Sequence, residues 1–282
     1  MRWTFVNNDF AGEGRSVIQT NDLAIQRGYA VFDYFRTINN QPLFLDDYLD
    51  RFFNSAKELS ISIPHPQAAV KEIISQLIKK NNIPQSGIRM IATGGYAPDN
   101  YTPVQGNFIL QQQPLALPDS IQFEQGIKIM TYAYQRDLPA VKSTNYVMGI
   151  WLQKRLKEKG LDDVLYFQNN IISEFPRANI FMVTPQGQLV TPAHNILAGV
   201  TRKKTLAFAG GILPAETRDI SLTELKQAAE VFMTSTTKRI LPVTEIDGIR
   251  IGNGKAGALT RQLREQFIRL GESVTGSAHS PS

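Results

Sequence analysis

The chain has 282 residues, 42% apolar and 20% charged, and at that size it can bury about three-quarters of its unfolded surface, as one large or two medium domains. It has no cysteine, which excludes disulfides and thiol chemistry. No apolar run approaches the roughly 18 residues of a membrane helix. The formal charge of +5 is spread along the chain, and no nucleic-acid reading motif accompanies it, so a small anionic ligand suits it better than nucleic acid.

In chain order, residues 3–6 read as a strand ending in an Asn7-Asn8-Asp9 turn. Residues 31–37 and 43–45 read as strands joined at Asn39-Asn40. Asp46 or Asp47 is expected to cap a helix with Leu49, Phe52, Phe53, Ala56 and Leu59 on its apolar face. A second amphipathic helix covers 66–80, and strands follow at 88–93 and 108–111 around a loop at 94–106. Residues 114–119, stiffened by Pro114 and Pro118, read as a linker. This gives a domain at 1–113 and a larger one at 120–282, whose last residues, 271–282, read as a frayed tail.

The second half opens with a strand at 127–134, then a long helix closing at Gly160. Its wet face, Lys154-Arg155-Leu156-Lys157-Glu158-Lys159, places cations at a helix C-terminus. Strands at 164–167, 171–172 and 180–183 alternate with turns at Asn169-Asn170 and Pro185-Gln186-Gly187. A helix runs from Thr201 to Gly210-Gly211, and Ser221 and Glu224 have capping-box spacing for the next. Strands at 231–233 and 240–246, a turn at Asp247-Gly248 and a helix at 259–270 complete a mixed α/β (α+β) chain. The first residues lack the continuous apolar segment of a signal peptide, so the expected compartment is cytoplasmic.

Lys142 ends an extended, Pro-bearing run (Leu138-Pro139-Ala140-Val141) just ahead of the long helix. Desolvation in a cleft would lower the pKa of such a lysine and free its amine to attack a carbonyl; the same pattern also suits a surface lysine near a helix start. Downstream come Ile171-Ile172-Ser173-Glu174, Ala178-Asn179-Ile180-Phe181, Gly199-Val200-Thr201-Arg202, and Thr234-Ser235-Thr236-Thr237 leading to Pro242-Val243. In that order, from about Arg27 to Phe267, the chain resembles the class IV (fold type IV) pyridoxal-phosphate enzymes. These comprise branched-chain aminotransferases, D-amino acid transaminases and 4-amino-4-deoxychorismate lyases.

The resemblance implies two α/β domains, small and large, with pyridoxal 5'-phosphate in the cleft between them, and a homodimer. It makes Lys142 the Schiff-base lysine and the base that moves the substrate proton. It sets Glu174 beside the pyridine nitrogen. The phosphate then falls to Val200 and Thr201 at a helix N-terminus, to Ser235 and Thr236, and to the cation of Arg51. Taken singly, Thr201 is an ordinary cap, the Thr-Ser-Thr-Thr run a polar loop and Arg51 a helix-surface arginine. Phe175-Pro176-Arg177 departs from the small residues many relatives carry there. No metal site is expected.

Lys142-Ser143-Thr144-Asn145, the Thr-Ser-Thr-Thr loop and Glu245-Ile246-Asp247-Gly248 look most like D-amino acid transaminases. In Arg27-Gly28-Tyr29-Ala30-Val31-Phe32-Asp33, Phe32 replaces the tyrosine of the D-specific group. The Arg-x-His that traps the substrate carboxylate in that group is Asp99 and Tyr101 here. Arg89 is the first candidate for the missing cation; Arg27, which in a dimer could come from the neighbouring subunit, is the second. The expectation is a transaminase moving nitrogen from a D-amino acid to a 2-oxo acid such as 2-oxoglutarate, with a non-standard carboxylate trap. A branched-chain L-amino acid aminotransferase and a 4-amino-4-deoxychorismate lyase are the alternatives.

Overall fold

The structure, a computed structural model, describes residues 2–115 and 117–276. Residue 116 of the expected linker and residues 277–282 of the expected tail lie outside the described residues. The described residues form two compact units: 2–115 with 141–145 and 272–276, and 117–140 with 146–271.

The first unit contains β1 (Trp3–Val6), β2 (Asp9–Gly12), α1 (Leu23–Arg27), β3 (Ala30–Ile38), β4 (Gln41–Pro42), α2 (Leu45–Glu58), α3 (Gln67–Asn81), β5 (Ser86–Thr93) and β6 (Phe108–Pro114). Its sheet has the order β2-β1-β6-β5-β3-β4, antiparallel throughout. Alternation along β3 and β5 sends Val31, Asp33, Phe35, Ile88 and Met90 to one side, all with no exposed surface, where α2 and α3 pack. Phe32, Tyr34, Arg89 and Ile91 share the opposite face. Val141–Asn145 belongs to this unit because it extends the edge of β3. Val31 bridges Ser143, Phe32 N–H donates to Lys142 O at 2.9 Å, and Thr144 N–H donates to Ala30 O at 3.0 Å.

The second unit contains α4 (Ser120–Gln125), β7 (Ile127–Ala133), α5 (Val147–Trp151), α6 (Gln153–Lys159), β8 (Asp163–Gln168), β9 (Ile171–Ile172), β10 (Asn179–Val183), β11 (Leu189–Thr191), α7 (Val200–Ala209), β12 (Ala215–Thr217), α8 (Leu222–Lys226), β13 (Glu230–Ser235), β14 (Arg239–Ile246), β15 (Ile249–Arg250) and α9 (Ala258–Thr275). Its mixed sheet runs β12-β11-β10-β13-β14-β7-β8-β9, with β15 paired to β14. Leu165, Ile180, Met182, Val231, Met233 and Leu241 are central to its core. Among the described residues no helix is long and apolar enough to cross a membrane.

The hairpin turns fall where the Asn-Asn and Asp-Gly pairs predict them. Asn39 and Asn40 (φ 49° and 62°), Asn169 and Asn170 (49° and 62°), and Asp247 and Gly248 (52° and 79°) are all left-handed, as primed turns require. Ser221 Oγ accepts the Glu224 N–H at 3.1 Å, the forward half of the expected capping box; the Glu224 carboxylate pairs with Arg218.

Other expectations are corrected. Residues 43–45 are not a strand: Leu43 is buried, and Phe44, left-handed at φ 56°, turns the chain into α2. Phe44 is therefore the cap position, and Asp46 and Asp47 lie in the first turn, where they oppose the helix dipole. The long helix after Lys142 is two segments, α5 and α6, meeting at Leu152 and closed by Gly160 at φ 64°. The last helix continues to Thr275, because Gly271 is one of its buried packing positions.

Candidate active site

In the first unit, two of the expected residues, Lys142 and Arg89, meet at Phe32. Lys142 is opposite Phe32 at the β3 edge, and its Nζ lies 4.8 Å from the ring centroid. The Arg89 guanidinium, on β5, lies 5.3 Å from the same centroid. An amine and a guanidinium thus flank one aromatic ring on the face opposite the helices. Among the described residues Arg89 makes ring contacts but no side-chain hydrogen bond and no ion pair. A half-buried cation without an acid is a ready receptor for an anionic ligand.

Arg51 lies on the helix side. From α2 its Nε and Nη2 donate to the two oxygens of Asp33 at 2.8 and 2.7 Å. The Lys142 N–H donates to Ser55 Oγ at 3.1 Å, one turn further along α2, so α2 positions both the Arg51 cation and the lysine backbone. Arg27 does not join the Phe32 group. It is exposed in the last turn of α1, and its guanidinium donates to the carbonyls of Asn100 and Gln26. Asp99 caps its own turn, accepting the N–H groups of Tyr101 and Thr102 at 2.9 and 2.8 Å. The Thr102 hydroxyl, and after it those two N–H groups, hold its carboxyl down at about 2. It is ionised at neutral pH and would repel a carboxylate.

In the second unit, Glu174 is buried and held at both oxygens. Arg136 Nε donates to Oε1 at 2.8 Å, and the Leu197 N–H donates to Oε2 at 2.9 Å. Asn179 Nδ2 donates to the Leu197 carbonyl at 2.8 Å, which ties the segment leading to α7 onto β10. Gly199 then caps α7. A Cβ there would lie 2.0 Å from Asn179 Oδ1, so any side chain would have to displace Asn179. Gly199 offers no side-chain cap, which leaves the amides of Val200 and Thr201 to an outside acceptor. Across the sheet from Asn179, Thr234 has a buried Oγ1 with no hydrogen-bond partner. Ser235 Oγ accepts the Lys238 N–H at 3.0 Å, and Thr236 follows in that half-buried turn.

These groups fit pyridoxal phosphate: a buried, oriented carboxylate suits a protonated pyridine nitrogen, and an uncapped helix start near an orphaned hydroxyl suits a phosphate. Arg136 and Leu197 escaped the sequence reading, and Asp33 and Thr234 stood inside its motifs without a role. Asp33 carried a signal, an acid on the apolar side of a strand. Arg136 and Leu197 carried none, being 38 and 23 residues from Glu174.

The sequence model of the class IV amino-transferases matches residues 30–246. The chain belongs to the class IV aminotransferases. It is an enzyme of a family that works with pyridoxal phosphate. It is 29% identical over 276 residues to the D-alanine aminotransferase of Listeria monocytogenes serotype 4b (strain F2365), covering 93% of this chain and 94% of that protein. It is 30% identical over 274 residues to a putative branched-chain-amino-acid aminotransferase of Methanocaldococcus jannaschii, with the same two coverages. Among solved structures, a branched-chain amino acid aminotransferase of Escherichia coli superposes with a TM-score of 0.90. The match covers 99% of this chain and 96% of that one at 24% identity, a likeness of fold. A second branched-chain amino acid aminotransferase, solved with pyridoxamine 5'-phosphate, superposes with the same TM-score of 0.90 at 24% identity.

Proposed function

We propose that this aminotransferase moves the amino group of a D-amino acid to a 2-oxo acid such as 2-oxoglutarate, with Arg89 as a non-standard carboxylate trap. The observation that carries the reading is the Arg89 guanidinium, without an acid partner, on the Phe32 ring that also contacts Lys142. The D-alanine aminotransferase relative, matched along nearly its whole length, supports the choice of hand.

Lys142 Nζ would hold the cofactor's aldehyde carbon and then carry the proton on and off the substrate Cα. Glu174, fixed by Arg136 and Leu197, would keep a proton on the pyridine nitrogen. Val200, Thr201, Ser235, Thr236 and Arg51 would hold the phosphate. When bound, the cofactor takes up the electron pair released at Cα. Arg27, on the exposed end of α1, is the second carboxylate candidate, acting across a dimer. A cytoplasmic homodimer, with domains at 1–113 and 120–282 joined at 114–119, belongs to the same proposal.

The Methanocaldococcus jannaschii relative favours a second reading, a branched-chain L-amino acid aminotransferase. Incubation with pyridoxal phosphate, 2-oxoglutarate and a panel of D- and L-amino acids decides. Glutamate formed from D-donors supports the proposal, and glutamate formed only from branched L-donors transfers it to the second reading. Silence on both hands, with pyruvate released from 4-amino-4-deoxychorismate, would replace both with the lyase.

A further inference from the structure

Tyr34 and Arg89 are directly opposite across β3 and β5, so their side chains leave the same face of the sheet. The Arg89 guanidinium lies 5.6 Å from the Tyr34 ring centroid as well as 5.3 Å from that of Phe32. One cation is thus gripped by two rings.

The second ring reaches it because of Gly87, the residue opposite Arg36. A Cβ at 87 would stand 1.6 Å from the Tyr34 hydroxyl oxygen and 2.1 Å from its Cζ. The end of the tyrosine therefore occupies the room that any side chain at 87 would need. Gly87 does not have a positive φ, so space, not backbone freedom, requires glycine there. Gln113, paired with Gly87 on β6, shares that face of the sheet and is next to the Tyr34 hydroxyl.

We infer that Tyr34, seated on Gly87, is a positioning residue that clamps Arg89 for the substrate carboxylate, so that positions 34 and 87 act as one specificity element. The inference rests on the reading of Arg89 as the carboxylate cation. A guanidinium stacked on rings keeps its N–H edges for a planar oxyanion, and removing one ring lets it swing away. The loss is one of binding, not of proton transfer at Lys142.

The test compares holoenzyme carrying Tyr34→Phe, Tyr34→Leu, Gly87→Ala, the double change Tyr34→Leu with Gly87→Ala, and Arg89→Ala. The readouts are kcat and KM for the amino donor, and calorimetric binding of propionate, which cannot react. Tyr34→Leu and Gly87→Ala are each expected to raise KM and weaken propionate about tenfold while kcat holds. The double variant should lose no more than either single one, and Tyr34→Phe, which keeps the ring, should restore KM to within about twofold. Additive losses, or a fall in kcat at constant KM, would overturn the clamp. If Arg89→Ala abolishes propionate binding and Tyr34→Leu leaves it unchanged, the clamp alone fails. If Arg89→Ala binds propionate normally, the reading of Arg89 as the trap fails first.

Discussion

The Asp33 carboxylate, with no exposed surface, is gripped by two nitrogens of Arg51 at 2.8 and 2.7 Å. The cation expected to meet a phosphate is thus already held by an acid, 18 residues away, on the helix side of the first sheet. Its aim is fixed by that pair. Removing the acid would take the neutralising carboxylate from a largely buried guanidinium, a change that costs about 3–5 kcal/mol. Asp33→Ala is therefore expected to lower the stability of the fold by that order and to weaken cofactor binding together with it. Denaturant titration and cofactor titration read the two effects. A stable Asp33→Ala protein would show that the pair is dispensable.

Lys142 is expected to be required for chemistry and not for folding, since its backbone is anchored through Ser55 and Phe32 whatever the side chain. Lys142→Ala should retain the circular dichroism and melting profile of the parent. It should lose turnover by at least about 10⁴-fold, as when a nucleophile that is also the base is removed. The near-visible absorbance of bound cofactor should disappear with it.

Gly199→Ala places a methyl group against Asn179 Oδ1, and the start of α7 must shift or Asn179 must release Leu197. Overpacking of this kind costs about 1–3 kcal/mol. Cofactor affinity is expected to fall by tenfold or more, because the amides of Val200 and Thr201 move with the helix start. Fluorescence titration with pyridoxal phosphate gives the affinity, and a thermal melt gives the stability.

The loop at 94–106 carries a pH signature. The Asp99 carboxyl is lowered to about 2 from an ordinary 3.8 by the bonds it accepts from Thr102 and Tyr101. A carboxyl with a depressed folded pKa contributes order that is complete above the unfolded value and disappears as pH falls through the folded one. Hydrogen-exchange protection at the Tyr101 and Thr102 amides is expected to fade between pH 4 and pH 2. Asp99→Asn, whose amide oxygen still accepts, should retain it.

The pieces that depend on neighbours in the chain were legible in the sequence. Asn39-Asn40, Asn169-Asn170 and Asp247-Gly248 form turns because those residues tolerate left-handed backbone, and Ser221 caps α8 because its oxygen reaches the amide three residues on. The apolar face with Leu49, Phe52 and Ala56 packed inward as its period requires. Leu43-Phe44-Leu45 misled because three apolar residues in a row fit a strand and a buried turn equally well.

By itself, the sequence determined the family, through an ordered set of short motifs from Lys142 to Thr237, and with it the mixed α/β fold. Only the tertiary structure decided what each side chain meets. The register of β3, β5 and the 141–145 segment places Lys142, Phe32, Tyr34 and Arg89 on one face and Asp33 on the other. Packing likewise joins Arg136 and Leu197 to Glu174. Strand pairing and burial act between residues far apart in the chain, and a local pattern holds no record of such partners.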